Sequence, residues 1–545
     1  DGDYRAQRFK TTYGLHITAR KALKTMRRPA LRAMVSELWQ TSDTKAAWHP
    51  VDVKKLTFAQ LKGVIRSSMF LKEKYLPNGD FEKLKARIVG GGHMQDKSLY
   101  DDTSSPTAST SSVLMVAAIA AKENRKVVCC DIGGAYLNAE MTDDVYMRID
   151  PLLTAILQKL KPDYERFVCP DGSVVVKLDK ALYGCVQSAR LWHKNLSQTL
   201  VDIGFVPNPM DICVFNLDKD GVQCTVVLHV DDLLITCVEE PIIDEVVAKL
   251  VEKYKTVDAR KGSIHSYIGM TLDFSKRGKV KVTQEGYTHD IIKAWGTAGT
   301  ASSPAAPTLF SIREKSPALS EEDRKKFHSF VAKVLYLGKR TRPELLPACT
   351  FLATRVTCAN EDDMTKLDRI FKYLNGEPDL GLTLTAGQAL NIFAYVDASY
   401  GVHADGKSHS GAVISLAGGP VFTKSSKQKL NSKSSTEAEL IALSDSSSQV
   451  IWTRDFLIAQ GYSIAAATIY QDNQSTIALV AKGRSTSEKS RHINIRFFFV
   501  KDRVDAGEVK VEYLPTKAMI ADVLTKPLQG ALFKELRDKL LNCSD

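Results

Sequence analysis

Disulfide patterning and long apolar runs are both missing from this sequence. Ten cysteines are scattered over 545 residues, and only Cys129 and Cys130 are close. Adjacent cysteines suit neither a zinc knuckle nor a disulfide framework, so a reducing compartment is the simplest inference. The longest apolar run, VLMVAAIAA at 113–121, is too short to cross a bilayer. No secretory signal and no initiator Met open the chain, which begins DGDYRAQRFK, so it is expected to be cut from something larger. No internal repeat of fixed period is found. Hydrophobic residues make up 44% and charged residues 25%, ordinary for globular domains. The length suits about three or four of them. The charge is uneven: 74 basic against 63 acidic residues leave a net +11, which favours a polyanionic partner.

Periodicity gives a coarse order of elements. RRPALRAMVSELWQ spaces Leu31, Met34, Val35 and Leu38 as a helix does. YLPNGDFEKLKARIV reads as a hairpin turning at PNGD. An apolar helix at 113–121 precedes a strand in KVVCCDIGGAYL, and VVVKLDKALYGCVQSARLWHKNLSQTL reads as strand, turn and helix. PIIDEVVAKLVEKYK is an amphipathic helix and YIGMTLDFSKRGKVKVTQ a strand pair. Residues 296–317, rich in Ala, Ser, Thr and Pro, read as a linker or long loop. A helical segment follows at 321–377, then a last α/β unit from about Asn391 to Gly530.

One stretch carries the chemistry. VVLHVDDLLIT (226–236) is an apolar strand pattern interrupted by Asp231 and Asp232. Desolvating adjacent carboxylates is costly, and they repel one another unless a cation neutralises them. Hard oxygen ligands with few protein contacts suit Mg²⁺, which completes its shell with water and substrate phosphates. The pair therefore reads as metal ligands at a strand–turn–strand tip, with an exposed Asp-Asp turn as the bland alternative. A third carboxylate, Asp131 in VVCCDIGGAYLNAE, also follows a short apolar run. Two metals bridged by such groups can activate a primer 3′-hydroxyl and stabilise a leaving pyrophosphate.

Five strings in order carry a resemblance: LKARIVGGGHMQ (84–95), CDIGGAYLNAEMTDDVYMRI (130–149), KLDKALYGCVQSARLWHKNL (177–196), LHVDDLLIT, and YLGKRTRPELLPA (336–348). Together they resemble the reverse transcriptase–ribonuclease H region of copia-type (Pseudoviridae) long-terminal-repeat retrotransposon Pol polyproteins. The resemblance covers nearly the whole chain. It implies an α/β and α+β multidomain fold: a right-hand polymerase of fingers, palm and thumb, a connection, and a ribonuclease H-like α/β domain. The implied segments are a basic N-terminal extension at 1–45, fingers and palm at 46–255, thumb and connection at 256–388, and the ribonuclease H domain at 389–545.

By the same resemblance Asp131, Asp231 and Asp232 are polymerase metal ligands. Tyr136 lies where the family carries an aromatic under the incoming sugar, with a core tyrosine as the alternative. Gln187 matches a glutamine that contacts the nucleotide, and Lys85 or Arg87 falls where a basic fingers residue grips the triphosphate. Lys72 and Lys74 are weaker candidates. His229, which replaces an aromatic or apolar residue before Val-Asp-Asp, stays outside the catalytic set.

The C-terminal unit carries four further acids in the settings a ribonuclease H fold gives them. Asp397 lies in NIFAYVDASY, a strand expected to point it away from its apolar neighbours. Glu437 and Glu439 both open the helix in SSTEAELIAL, and the family's neighbourhood favours Glu439. Asp472 follows the strand in TIYQDNQSTIAL, and Asp522 is expected on a helix in YLPTKAMIADVLTKPL. Four carboxylates around two Mg²⁺ (Mn²⁺ as a substitute) can activate water and cleave RNA in an RNA–DNA hybrid. Many ribonucleases H carry a mobile His before the last Asp; here LPTKAMIAD has none, and His492 is either a substitute or structural.

The implied partners are an RNA template, a DNA primer, RNA–DNA hybrid and dNTPs, with a second copy of the chain and the element's integrase and capsid as further candidates and no membrane. The implied location is a cytoplasmic virus-like particle, with nuclear entry of the product complex as a further expectation of the resemblance. Two alternatives stand beside this reading. One is an inert or domesticated remnant that only binds nucleic acid; the other is a cellular DNA-templated polymerase, which leaves the second acid set unexplained.

Overall fold

The computed structural model describes residues 17–75, 81–100, 103–387, 389–482 and 494–543. The chain divides into two compact units: Asp1–Thr107 with Asp131–Phe205 and Val246–Asp258, and Ala108–Cys130 with Val206–Glu245 and Ala259–Asp545. Both are discontinuous in sequence.

The first unit is built on a sheet whose strands run in the order Ile17–Thr18, Ile65–Tyr75, Tyr146–Ile149, Val174–Leu178 and Trp48–Pro50. Val174, Val175 and Val176 are all fully buried, as a strand covered on both faces requires. Phe81–Gly90 pairs antiparallel with Ile65–Tyr75, forming the expected hairpin; the PNGD turn lies outside the described residues. The helix Arg27–Trp39 buries Ala30, Met34 and Leu38 at a spacing of four, one stripe of a helix. Leu31, expected on that stripe, is exposed, because one residue's step turns it about 100° away.

The second unit opens with the apolar helix Thr110–Lys122. Its N-cap Ser109 accepts from the Ser112 N–H (3.0 Å), and Asp211 accepts from the Ser109 N–H and the Ser112 hydroxyl. A six-stranded sheet runs in the order Val257–Lys261, Lys126–Ile132, Asp232–Cys237, Val222–His229, Asp211–Lys219 and Val206–Asn208. A second sheet joins Ile264–Tyr267, Met270–Asp273, Val280–Thr283, Leu382–Ala386 and Ala417–Gly418. A third runs Pro420–Lys427, His409–Ser415, Phe393–Ser399, Ala467–Gln471, Val509–Tyr513, with its last three strands parallel.

Helices Glu321–Gly338, Leu346–Ala353 and Glu361–Gly376 fill the segment expected to be helical, around Phe327, Val334, Ile370 and Phe371. The stretch 296–317 forms no regular element, as expected of a loop, yet Phe310 anchors it edge-on against Phe351 (5.7 Å). Among the elements that escaped the sequence reading, two border glycines or small residues. The strand Ile264–Tyr267 is only four residues between Gly262 and Gly269. The helix Glu285–Trp295 borders the loop-like stretch, and its Trp295 stacks on Phe371 (4.8 Å).

The block YLGKRTRPELLPA is explained by packing. Arg342 Nε donates to Glu344 Oε1 (2.6 Å), both side chains being wholly buried. The Tyr373 hydroxyl donates to the same carboxylate, and Arg342 also donates to the Glu377 carbonyl. Among the described residues no disulfide forms, and no helix is long and apolar enough to cross a membrane.

Candidate active site: clustered carboxylates in the second unit

The hairpin with the adjacent aspartates is a strand–turn–strand, as its chemistry suggested. Val222–His229 and Asp232–Cys237 pair antiparallel, with His229 opposite Asp232. Val230 takes φ 59°, a left-handed backbone that a β-branched residue rarely adopts. Such strain costs of order 1–3 kcal/mol. The strands offset it: Val226, Val227, Leu228, Leu233, Leu234 and Ile235 are all buried. Each contributes roughly 1.5–3 kcal/mol, so the core dictates the hairpin and the tip absorbs the strain. Asp231 and Asp232 are therefore left partly exposed at the tip of a rigid support. Burial, reinforced by the Arg340 guanidinium, holds His229 below its ordinary pKa. The Tyr267 hydroxyl donates to the Val227 carbonyl (2.9 Å) and fixes the next sheet to this strand. Cys129 lies on the neighbouring strand, its thiol pushed up to about 12 chiefly by burial, with Asp232 among the contributing charges. Asp131 follows on that strand, half-buried.

The second acid set gathers within the third sheet's unit. Asp397, Asp472 and Asp522 each offer a carboxylate oxygen, and these lie within 4.8 Å of one another. Asp397 lies on Phe393–Ser399 with Gly411 as its cross-strand partner. The strand was expected to be apolar on one face only. Instead Val396, Asp397 and Ala398 are all buried, because the helix Ser435–Ala459 and the turn Ile520–Leu524 both lie against it. A Cβ on Gly411 would stand 2.6 Å from the Thr525 methyl and 3.1 Å from the Ala521 carbonyl, so only glycine admits that turn. Asp522 sits on this short 3₁₀ turn rather than on the α-helix expected. Asp472 follows the strand Ala467–Gln471 and accepts from the Thr516 hydroxyl (2.8 Å).

Glu439 joins them from the first turns of Ser435–Ala459, a helix capped by Ser434 accepting the Glu437 N–H. Glu437, the alternative acid, accepts the Lys433 N–H (2.7 Å) at the helix start. Burial, then Asp397 and Asp472, push Glu439 up to about 9. Burial, then Asp397, push Asp522 up to about 7. Both shifts have one cause, negative charges crowded together in a buried place. The donor set, all hard oxygen and partly self-repelling, fits a divalent cation such as Mg²⁺.

Sequence reasoning missed the groups that organise the cluster. Gln471 is fully buried; its amide oxygen accepts from the N–H groups of Asp472 (2.8 Å) and Asn473 (3.0 Å), and its nitrogen donates to Glu439 Oε2 (3.3 Å). The Thr525 hydroxyl donates to Asp397 Oδ2. Lys526 Nζ lies 2.6 Å from Asp522 Oδ1 and 3.4 Å from Asp397 Oδ1. Burial alone would lower the Lys526 pKa, but Asp397 and Asp522 outweigh it and raise it. The available signal was the Thr-Lys pair just after Asp522, which alone reads as a solvated helix end. His492 lies outside the described residues.

In the first unit the proposed nucleotide contacts partly converge. The Arg87 guanidinium lies 3.9 Å over the Tyr183 ring, and Tyr183 and Tyr136 have ring centroids 4.5 Å apart. Lys85 and Lys72 are exposed cross-strand neighbours, and the Lys74 side chain lies outside the described residues. Gln187 is nearly buried and donates to Asp143 (3.0 Å) while accepting from Gln95 (3.1 Å). In the second unit a cleft of about 790 Å³ is lined by Lys339, Arg340, Lys424 and Lys427 beside Ser and Thr hydroxyls, with no carboxylate in its lining.

Residues 66–309 match the family described as reverse transcriptase (RNA-dependent DNA polymerase). A retrovirus-related Pol polyprotein from transposon RE1 of Arabidopsis thaliana is 30% identical over 473 residues, covering 86% of this chain and 31% of that one. The Pol polyprotein from transposon TNT 1-94 of Nicotiana tabacum is 26% identical over 455 residues, covering 82% of this chain and 33% of that one. The chain thus spans about a third of the length of these relatives. A solved foamy viral protease–reverse transcriptase, in complex with double-stranded DNA, superposes with a TM-score of 0.50 at 11% identity, over 88% of this chain and 69% of that chain. At that identity the likeness shows the fold alone, a mixed α/β architecture with several sheets.

Proposed function

This chain belongs with the copia-type retrotransposon Pol polyproteins, and from that premise we propose that it is the element's reverse transcriptase, copying RNA and DNA templates into DNA and degrading the RNA of RNA–DNA hybrids. The observation that carries the nuclease half is the gathering of Asp397, Asp472 and Asp522 within 4.8 Å, with Glu439 pressed against them, in a chain whose residues 66–309 match a polymerase family.

Asp397, Glu439, Asp472 and Asp522 would hold Mg²⁺ in this reading. Bound there, Mg²⁺ supplies positive charge that polarises the scissile phosphodiester and lowers the pKa of attacking water. The chain's own residues set up the site. Gln471 fixes the loop that presents Asp472, and Thr525 and Thr516 hold single carboxylate oxygens of Asp397 and Asp472. Asp131, Asp231 and Asp232 are assigned to nucleotidyl transfer on the family's blocks, with Mg²⁺ again as the ion. Arg87 or Lys85, Tyr136 and Gln187 are assigned to the incoming dNTP on the same ground. In the pairing of Arg87 with Tyr183 and Tyr183 with Tyr136, a guanidinium and two rings share one place, which suits a triphosphate beside a sugar.

The test is direct. The intact chain is expected to extend a primed RNA template with dNTPs and Mg²⁺, and to cut the RNA of a hybrid but not double-stranded RNA. A folded chain that binds hybrid and does neither would favour an inert binding remnant. The cationic cleft gives a second expectation. Lys424→Glu is expected to weaken hybrid affinity severalfold at low salt and to flatten the slope of log affinity against log salt by about one. An unchanged slope would remove this cleft from the binding surface.

A further inference from the structure

We infer that Lys526 is an internal counter-cation of the ribonuclease carboxylates, one that must leave Asp522 and Asp397 before the site takes its full complement of divalent ions. The inference rests on the ribonuclease reading above and adds to it a residue that controls when the site loads.

The geometry is specific. Lys526 follows the 3₁₀ turn that carries Asp522, and its N–H donates to the Asp522 carbonyl (2.9 Å), so the two residues move as one backbone piece. Its ammonium lies 2.6 Å from Asp522 Oδ1 and 3.4 Å from Asp397 Oδ1. The preceding residue, Thr525, donates to the other oxygen of Asp397. Consecutive residues thus engage both oxygens of one carboxylate and one oxygen of a second. Gly411, beneath them, leaves the space that lets this turn sit down on the Asp397 strand.

A divalent ion that binds a carboxylate oxygen directly excludes an ammonium from it, and the two cations repel. Lys526 and a metal therefore compete for Asp522 Oδ1. Unlike Asp397 and Asp522, which are buried, the Lys526 side chain is 33% exposed and has a four-carbon stem on which to withdraw. A phosphodiester arriving at the site offers the displaced ammonium a new anion. The expected consequence is coupling: Lys526 weakens metal binding to the empty site, and hybrid binding removes that penalty. This would keep the nuclease poorly loaded until an RNA–DNA hybrid is in place.

The test compares the intact chain with Lys526→Met, which keeps most of the stem without charge, and with Lys526→Arg, which keeps the charge. Mn²⁺ affinity is read by calorimetry without nucleic acid, and again with a non-cleavable hybrid. Primer extension verifies that each variant is folded. Lys526→Met is expected to bind Mn²⁺ roughly tenfold more tightly than the parent without hybrid. With hybrid that advantage should shrink. Lys526→Arg should stay near the parent in both conditions. A Lys526→Met chain with unchanged or weaker Mn²⁺ affinity overturns the inference, since a merely structural lysine would loosen the turn and weaken binding. If the parent itself neither binds Mn²⁺ through Asp522 nor cuts hybrid, the ribonuclease reading fails first and carries the inference with it.

Discussion

Asp231→Asn is expected to reduce primer extension by about 10³-fold or more while leaving hybrid cleavage within about twofold. Asp522→Asn is expected to do the reverse. Asp231 stands at the tip of a hairpin whose apolar strands are buried on a sheet of their own. Asp522 stands on a 3₁₀ turn against the Asp397 strand of a different sheet. An Asp→Asn change keeps size and removes one charge, so each substitution should act locally. Extension of a primed RNA template and release of fragments from a labelled hybrid measure the two losses separately. If either change abolished both activities, two separable acid sets would no longer describe this chain.

Glu344→Gln is expected to lower stability by about 3–5 kcal/mol, which for the unit that holds it corresponds to roughly 10 °C in thermal midpoint. The reason is burial. Arg342 and Glu344 are both fully enclosed, so neutralising one leaves the other's charge uncompensated. Burial alone would lower the Arg342 pKa, yet it is raised, with Glu344 and Tyr373 as the groups that hold the guanidinium charged. Replacing both partners with apolar residues of similar volume should cost much less than the single change. A thermal melt of the single variant within about 1 °C of the parent would show that the pair adds nothing. The YLGKRTRPELLPA string would then need another explanation.

Legibility followed the range of the interactions. The Val-Asp-Asp hairpin was readable because its signal is local: apolar strands flanking a charged tip. The acids Asp397, Glu439, Asp472 and Asp522 were named through the ribonuclease H resemblance, not through a local signal of their own. Their convergence was not readable, because it depends on four elements spread over more than a hundred residues. Lys526 was missed because a lysine near a helix end is ordinarily solvated, and only the turn's docking over Gly411 brings it to two carboxylates. The contact of Arg87 with Tyr183 was hidden likewise, since a hairpin and a distant loop must meet first. Helix Glu285–Trp295 was lost beside a stretch rich in small residues, although its Trp295 packs into the core. Leu31 was misplaced by a single residue of helical phase.

The most direct measurement is the thermal midpoint of the intact chain with and without saturating Mn²⁺, enough to displace Lys526 in the absence of hybrid, across pH. Glu439 is pushed up to about 9 and Asp522 to about 7, so the folded state favours their protonated forms. The stability this contributes is present below the ordinary carboxylate range and is lost as pH rises through about 7 and then about 9. A bound divalent cation relieves that loss. Mn²⁺ is therefore expected to raise the midpoint by roughly 5 °C near pH 8.5 and by little near pH 5, and Asp522→Asn should remove most of the difference. No Mn²⁺ shift at either pH would contradict the claim that these carboxylates are gathered to hold metal.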